Sequence, residues 1–446
     1  MEQQHMFTNR MIRNLLVPVV LEQILNSIMG TADTMMVSNV GSAALSAVSL
    51  VDSINILLIQ AFSALAAGGA IVCAQYIGQK NYEKANMSAR QVLFIITAIS
   101  VAVSAVCLIF QKPLLRLIFG SVEADVMRAS ETYFFFTALS FPFIASYDAA
   151  ASIFRAQENT KGPMIISMIS NVMNIGGNAV LIWVFHMGVA GAAISTLVSR
   201  VFCAVVVLYQ LRKDRQPIVV KDYLKIRPDW SMIGRILGLG IPSGIENSMF
   251  QLGKLAIQST VSTLGTAAIA AQAMTNILEN LNGIAAIGVG VGLMTIVGQC
   301  LGAGRKDEAI YYIKKLCVIA EIVIIVSCLT VYALARPVTI LGGMEKSSAA
   351  MCIHMITWIT IVKPLVWTMA FVPGYGLRAA GDVKFSMITS CCTMWACRFC
   401  LCIFLIRVLG FGPMGVWIGM FADWTVRGII FTWRFHSRRW LKHKVI

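Results

Sequence analysis

Twelve stretches of this chain, each long enough to cross a bilayer, pass with few or no charges. They fall near 14–37, 47–77, 91–111, 131–153, 163–184, 190–211, 233–263, 269–300, 313–335, 349–376, 386–406 and 414–434. About 20 apolar residues span the hydrocarbon core as a helix. Hydrocarbon offers no partner for a free N–H or C=O, so such stretches form helices rather than open strands. Composition agrees. The 446 residues are 58% hydrophobic and 13% charged, whereas water-soluble domains carry about 25% charged residues. The expected fold class is an all-α integral membrane protein with twelve transmembrane helices, and no room remains for a large soluble domain.

The formal net charge of +15 would suit nucleic acid, but its placement points to a bilayer. Lys80, Lys84 and Arg90 follow the second stretch, and Arg155 and Lys161 the fourth. Arg212, Lys213, Arg215, Lys221, Lys225 and Arg227 lie between the sixth and seventh. Arg305, Lys306, Lys314 and Lys315 follow the eighth, and Arg378 and Lys384 the tenth, while the tail holds Arg434, Arg438, Arg439, Lys442 and Lys444. The alternate loops hold Lys112, Arg116, Arg128, Arg336, Lys346 and Arg407. The positive-inside rule then puts both termini in the cytoplasm, with no nucleic-acid partner. Arg10 and Arg13 lead straight into a stretch too long for a signal-peptide core, so no cleavable leader is expected. The twelve cysteines lie mostly within the apolar stretches. Cys397 and Cys400 form a C-x-x-C beside Cys391, Cys392 and Cys402; on an apolar helix they read as packing thiols rather than metal ligands.

The chain repeats itself. "VPVVLEQ" (17–23) resembles "IPSGIEN" (241–247), placing Pro18 on Pro242 and Glu22 on Glu246 at an offset of 224. The same offset lays "VGSAALSA" (40–47) on "LGTAAIAA" (264–271), and "QYIGQKNYEKA" (75–85) on "QCLGAGRKDEA" (299–309). "FRAQENTK" (154–161) meets "LRAAGDVK" (377–384) at 223, and "GVAGAAI" (188–194) meets "GPMGVWI" (412–418) at 224. Each copy has an even number of spans, so both enter the membrane in the same direction, as in parallel-repeat transporters with a central solute cleft. The expected organisation is an N-lobe at 1–211, a cytoplasmic linker at 212–232 and a C-lobe at 233–446. The linker, with six basic residues, Pro217 and Pro228, reads equally as an interlobe hinge or a solvated loop.

A carboxylate at the bilayer centre costs about 2.5–3.5 kcal/mol even on a lenient scale, so intramembrane charges face a bundle interior or a wet cavity. Glu22, Asp33, Asp52, Asp148, Glu246, Lys254, Glu279, Glu321 and Lys363 fall in the apolar stretches. Glu22 and Asp33 share a helix face about 16 Å apart, too far to share a proton. Pro18 lacks a backbone donor and marks a bend in the same helix. The repeat separates two roles: Glu22 and Glu246 are symmetry mates, whereas Asp33 falls on Ile257. Asp52 and Asn55 fall on Asn276 and Glu279, one acid and one amide in each copy. These six residues, Glu22, Asp52, Asn55, Glu246, Asn276 and Glu279, are candidates for lining a polar substrate cleft. Interhelical hydrogen bonding is the plainer alternative. In "NVMNIGGNAVLIW" (171–183), Asn174 and Asn178 stand four apart on one helix face. Thr196 is a hydroxyl inside the sixth stretch. With Asp33 they would form an oxygen-rich cation or proton pocket.

"MGTADTMMVSNVG", "FRAQENTKGPM", "NIGGNAVLI", "GVAGAAIST" and "GLRAAGDVKF" resemble the multidrug and toxic compound extrusion family, in order and across both copies. The resemblance implies two six-helix lobes opening alternately inward and outward. It also implies export of amphipathic, often cationic organic compounds in exchange for H⁺ or Na⁺, with no other cofactor. A multi-pass monomer in a plasma membrane, the bacterial inner membrane, would follow. The family's N-lobe cation site maps onto Asp33, Asn174, Asn178 and Thr196, with Na⁺ at Asp33 as the candidate metal. Asn178 stands where relatives often carry a second aspartate, and the tenth stretch lacks the acid some relatives place there. Arg155 and Arg378 match a cytoplasmic motif of structural role. Burial makes proton uptake by Asp33 feasible, and neutralisation would alter the hydrogen bonds around the helix bent near Pro18. Twenty-four methionines, Met29, Met35, Met36, Met249 and Met274 among them, offer deformable apolar surface. The rival within the broader superfamily is a lipid-linked oligosaccharide flippase, for which Lys254 and Lys363 are candidate phosphate contacts and the four nearby acids are the counter-indication. His5, His186, His354, His436 and His443 are dispersed, so an enzyme is not expected.

Overall fold

A computed structural model describes residues 5–446, and every regular element among them is helical. In the first repeat these are α1 (Asn9–Ser38), α2 (Ser42–Gly78), α3 (Tyr82–Ile109), α4 (Gln111–Phe119), α5 (Ala124–Leu139), α6 (Phe141–Ala156), α7 (Lys161–Asn178) and α8 (Val189–Leu211). The second repeat holds α9 (Trp230–Val261), α10 (Thr266–Gly302), α11 (Lys306–Leu341), α12 (Lys346–Ala379), α13 (Val383–Thr393), α14 (Leu401–Arg407) and α15 (Met414–His436). Partners across the repeat match in length: α2 and α10 have 37 residues each, and α8 and α15 have 23 each. A wider π turn follows α7 at Ala179–Val184 and joins α13 to α14 at Met394–Cys400.

Nine spans among the described residues are long and apolar enough to cross a membrane, and α5 with α6 makes a tenth bent by 42°. The remaining two of the twelve expected spans are α9 and α15, of 32 and 23 residues. Both carry internal charges: Arg235, Glu246 and Lys254 on α9, and Asp423, Arg427 and Arg434 on α15. On α11, Val318, Ile322, Ile325, Val326 and Leu329 are all exposed. Such a continuous apolar face suits lipid rather than water.

Two features were not anticipated. The loop after the third span folds as the nine-residue helix α4, anchored by the buried Leu115. The fourth span is broken at Ser140, and Pro142 explains the break: it has no N–H for the carbonyl of Ala138. That carbonyl instead accepts the Ser104 hydroxyl at 2.7 Å.

The helices pack into two groups, one comprising Leu25–Gly244 and the other Met1–Ile24 with Ile245–Val445. Within the first, α2 packs on α3, α5 and α6, and α8 on α6 and α7. Within the second, α10 packs on α11 and α12, and α15 on α12 and α14. The dividing points fall inside α1 and α9, shortly after Pro18 and Pro242. The start of α9 therefore packs with the first repeat, and the start of α1 with the second. Small residues permit both approaches. A methyl added at Gly68 would lie 2.7 Å from the backbone nitrogen of Gly240, and one at Gly288 would lie 2.9 Å from Cα of Val20. Ahead of α1, the Phe7 amide donates to the Tyr312 hydroxyl at 2.8 Å, and that hydroxyl donates back to the Phe7 carbonyl at 2.9 Å.

Segment 212–232 is tied down rather than loose. The Gln91 side chain donates to the Arg227 carbonyl at 2.8 Å and accepts from the Asp229 amide at 3.0 Å. Asn86 Oδ1 accepts from the Val219 amide at 2.7 Å, and Ile218 and Val220 are fully buried.

Candidate functional site

The first packing group gathers Asp33 from α1, Asn174 and Asn178 from α7, and Thr196 from α8. Asn178 donates its amide to Asp33 Oδ1. Asn174 donates to the Thr196 hydroxyl at 3.4 Å, and its backbone carbonyl accepts from Ser195 at 2.8 Å. Spacing four apart on α7 puts both amides on one face. Gly177 lets α8 approach, because a methyl there would strike the Ser195 side chain. The side-chain oxygens of both asparagines are buried and accept no hydrogen bond among the described residues. Buried polar atoms without partners are rare. Two idle acceptors beside a carboxylate and a hydroxyl make a donor set that fits a hard cation such as Na⁺, and equally lets Asp33 hold a proton.

Asp52 lies close enough to act on Asp33, and it accepts from Asn55 at 3.2 Å and from the Tyr133 hydroxyl at 3.1 Å. Asn55 is thus bonded within its own helix, while Tyr133 supplies an interhelical bond from α5. One cation, Arg200, stands among these acids. Its charge acts on Asp33, Asp52 and Asp148, and its Nη1 donates to Ser140 Oγ at 2.7 Å, at the break between α5 and α6. Arg200 and Tyr133 were missed in the sequence. Arg200 carried a usable signal, lying one helical turn beyond Thr196 on the same face; Tyr133 carried none.

The second group arranges its candidates differently. Glu246 is buried and ion-paired with Arg378 at 2.6 Å, so any substrate contact would compete with that guanidinium. Glu22 is buried as well and belongs to the same group. Glu279 pairs with the fully buried Lys363 at 2.7 Å. Asn276 accepts from Gln272 at 3.4 Å, whose own oxygen accepts from Trp417 at 3.1 Å. Pro18 lies in the interior of α1, as Pro242 does in α9. The cluster includes charges absent from the sequence-level tally: Arg398, and Asp423 paired with Arg427 at 3.0 Å. Arg398 lies between the two cysteines of the C-x-x-C.

Comparison with known proteins agrees with this architecture. The family model MatE matches residues 18–180 and again 242–404, the same 224-residue offset read from the repeat. An uncharacterised transporter, YisQ, of Bacillus subtilis is 26% identical over 95% of this chain and 93% of its own length. The probable multidrug resistance protein NorM of Thermotoga maritima is 24% identical over 97% of this chain and 93% of its own. Two solved structures superpose with a TM-score of 0.90 at 18% identity. One is MATE in complex with MaL6, covering 96% of both chains; the other is a MOP superfamily transporter of Pyrococcus furiosus, described by its binding pocket of reverse polarity, covering 98% of this chain and 97% of that one. At that identity they speak for the fold, with its twelve helices. A doubled helical unit, matched by the family model in both copies, makes this chain a multi-pass membrane transporter of the MatE family, the multidrug and toxic compound extrusion proteins.

Proposed function

We propose that this protein is a secondary antiporter that exports amphipathic organic compounds, cations among them, in exchange for H⁺ or Na⁺ by alternating access. The observation that carries this reading is the Asp33 pocket: a carboxylate with two idle amide oxygens, grouped with two further acids around one guanidinium. Asp33 holds the coupling ion, with Asn174, Asn178 and Thr196 as the remaining oxygen donors. Neutralising Asp33 removes the charge to which Asn178 donates, and so changes what holds α1 beyond Pro18. A ligand shifts a two-state equilibrium only by binding the states unequally, and this bond is where such a difference can arise. The membrane potential contributes about 2.3 kcal/mol per charge per 100 mV, enough for concentrative export.

The two repeats at 1–211 and 233–446, joined by 212–232, are the symmetric halves of the device. It works as a monomer in a bacterial inner membrane, both termini in the cytoplasm, where the basic loops belong. Dye efflux from everted vesicles under separately imposed H⁺ and Na⁺ gradients tests the coupling. Asp33→Asn should abolish efflux driven by the coupling ion. Undiminished ion-driven export by that variant would remove Asp33 from the mechanism.

A further inference from the structure

The two repeats have opposite polarity at equivalent positions. With the 224-residue offset, Asp33 falls on Ile257 and Asn174 on Arg398. Where the first repeat concentrates acids, the second gathers Lys254, Lys363, Arg398 and Arg427 around two carboxylates, Glu279 and Asp423. Lys363 and Arg427 are committed to those acids at 2.7 and 3.0 Å. Arg398 and Lys254 are not. Arg398 is 3% exposed, and among the described residues its guanidinium has only a 3.6 Å contact to the Met394 sulfur and a carbon-rich neighbour in Phe250, 4.9 Å from the ring centroid. The Lys254 ammonium lies 4.8 Å from the centroid of that same ring, and its side chain is solvent-accessible. Asp423 and Glu279 act on Arg398 through charge alone, and a buried guanidinium with no hydrogen-bonded anion is costly, so this arrangement has a place for one.

The unfilled hydrogen-bonding atoms point the same way. In the first repeat's pocket they are acceptors: Oδ1 of Asn55, Asn174 and Asn178. Among the described residues of the second repeat they are the donors Nδ2 of Asn282, Nε1 of Trp395 and Trp424 and Nε of Arg427, with the hydroxyls of Thr368 and Ser390, which can donate or accept. Idle acceptors suit a cation; idle donors suit an oxyanion.

We propose that the second repeat carries a binding site for the oxyanion, a carboxylate or phosphate ester, of an amphipathic organic compound, held by Arg398 and Lys254 beside Phe250. The transported compounds then include organic anions and zwitterions, an extension that rests on the transporter reading above. Lys254 provides the accessible first contact and Arg398 the buried one, while Phe250 supplies apolar surface for the ligand's body.

Equilibrium dialysis of the full-length protein in neutral detergent tests the site with three probes sharing one ring system: naphthalene-2-carboxylate, 2-naphthyl phosphate and 2-naphthylmethylammonium. At least one anion should bind tenfold or more tighter than the cation, and comparison of the two identifies the preferred oxyanion. Lys254→Gln and Arg398→Gln should each weaken that anion about tenfold, the loss of one charge-assisted contact, and Arg398→Lys should restore part of it. Cation binding should persist in these variants, which also reports that they are folded. Lys254 is accessible, so its replacement leaves the core intact even if Arg398→Gln does not. Equal binding of all three probes, or unchanged anion affinity in Lys254→Gln, would overturn the site. Dialysis needs no gradient, so failure here with ion-driven dye export intact rejects the anion site alone, and the converse rejects only the antiporter.

Discussion

Replacing Glu279 with leucine should cost more stability than removing its partner, Lys363. The Lys363 side chain is fully buried and directs its ammonium to Glu279 Oε1 at 2.7 Å, to the Glu279 carbonyl at 3.1 Å and to Asn282 Oδ1. The rings of Trp367 and Trp424 lie 5.3 and 5.8 Å away. Without Glu279 the ammonium keeps only neutral partners and no route to water, a loss of about 3–5 kcal/mol for a broken buried pair. Lys363→Met fills the same space and leaves a carboxylate that is 19% accessible and still under the influence of Lys254 and Arg398. Its cost should be nearer the 1–3 kcal/mol of an unfilled buried acceptor. The double variant, with both charges gone, should recover most of the larger loss, so the two single losses together should exceed the double by about 4 kcal/mol. Unfolding of the purified protein in mixed micelles with increasing denaturing detergent measures all four corners of the cycle. Equal losses in the two single variants, or strictly additive losses in the double, would refute the claim that burial of the ammonium dominates.

Gly68→Ala puts a methyl group 2.7 Å from the Gly240 backbone, so α9 must shift; the same unfolding assay should register an overpacking loss of about 1–3 kcal/mol. Gly30→Ala, with no atom within 4 Å of the new methyl, should be neutral or stabilising by up to about 1 kcal/mol. Gln91→Ala removes both bonds to the segment after Lys225. At about 1 kcal/mol per bond, limited proteolysis between 212 and 232 should accelerate severalfold while the helical core stays intact. An unchanged cleavage rate would show that those bonds do not hold the segment.

Sequence reasoning succeeded where one physical rule acts alone. Hydrocarbon forces helices, so the spans were visible, and a doubled gene leaves a constant offset, so Pro18 and Pro242 announced the repeat. Helix spacing also singled out Asp33, Asn174, Asn178 and Thr196, which the fold brings together from three helices. The break at Ser140 was harder, because Pro142 in a helix does not reveal which side chain will serve the released carbonyl. The charged cluster of the second repeat was harder to read for a different reason. Counting acids against lysines treats charges as a sum, while the outcome depends on pairing: Glu246 with Arg378, Glu279 with Lys363, Asp423 with Arg427. Only distances reveal that Arg398 and Lys254 are left over.

The exchange of helix beginnings bears on how the chain is made. Residues 25–244 cannot complete their core until the opening turns of α9 have been synthesised, after all the other helices of that group. Residues 5–24 emerge before the other helices of their group, and their packing partners lie beyond Gly244. The start of α1 is therefore made well ahead of its neighbours, and a ribosome stalled at the midpoint would leave the first repeat without the opening of α9 and the start of α1 without its partners.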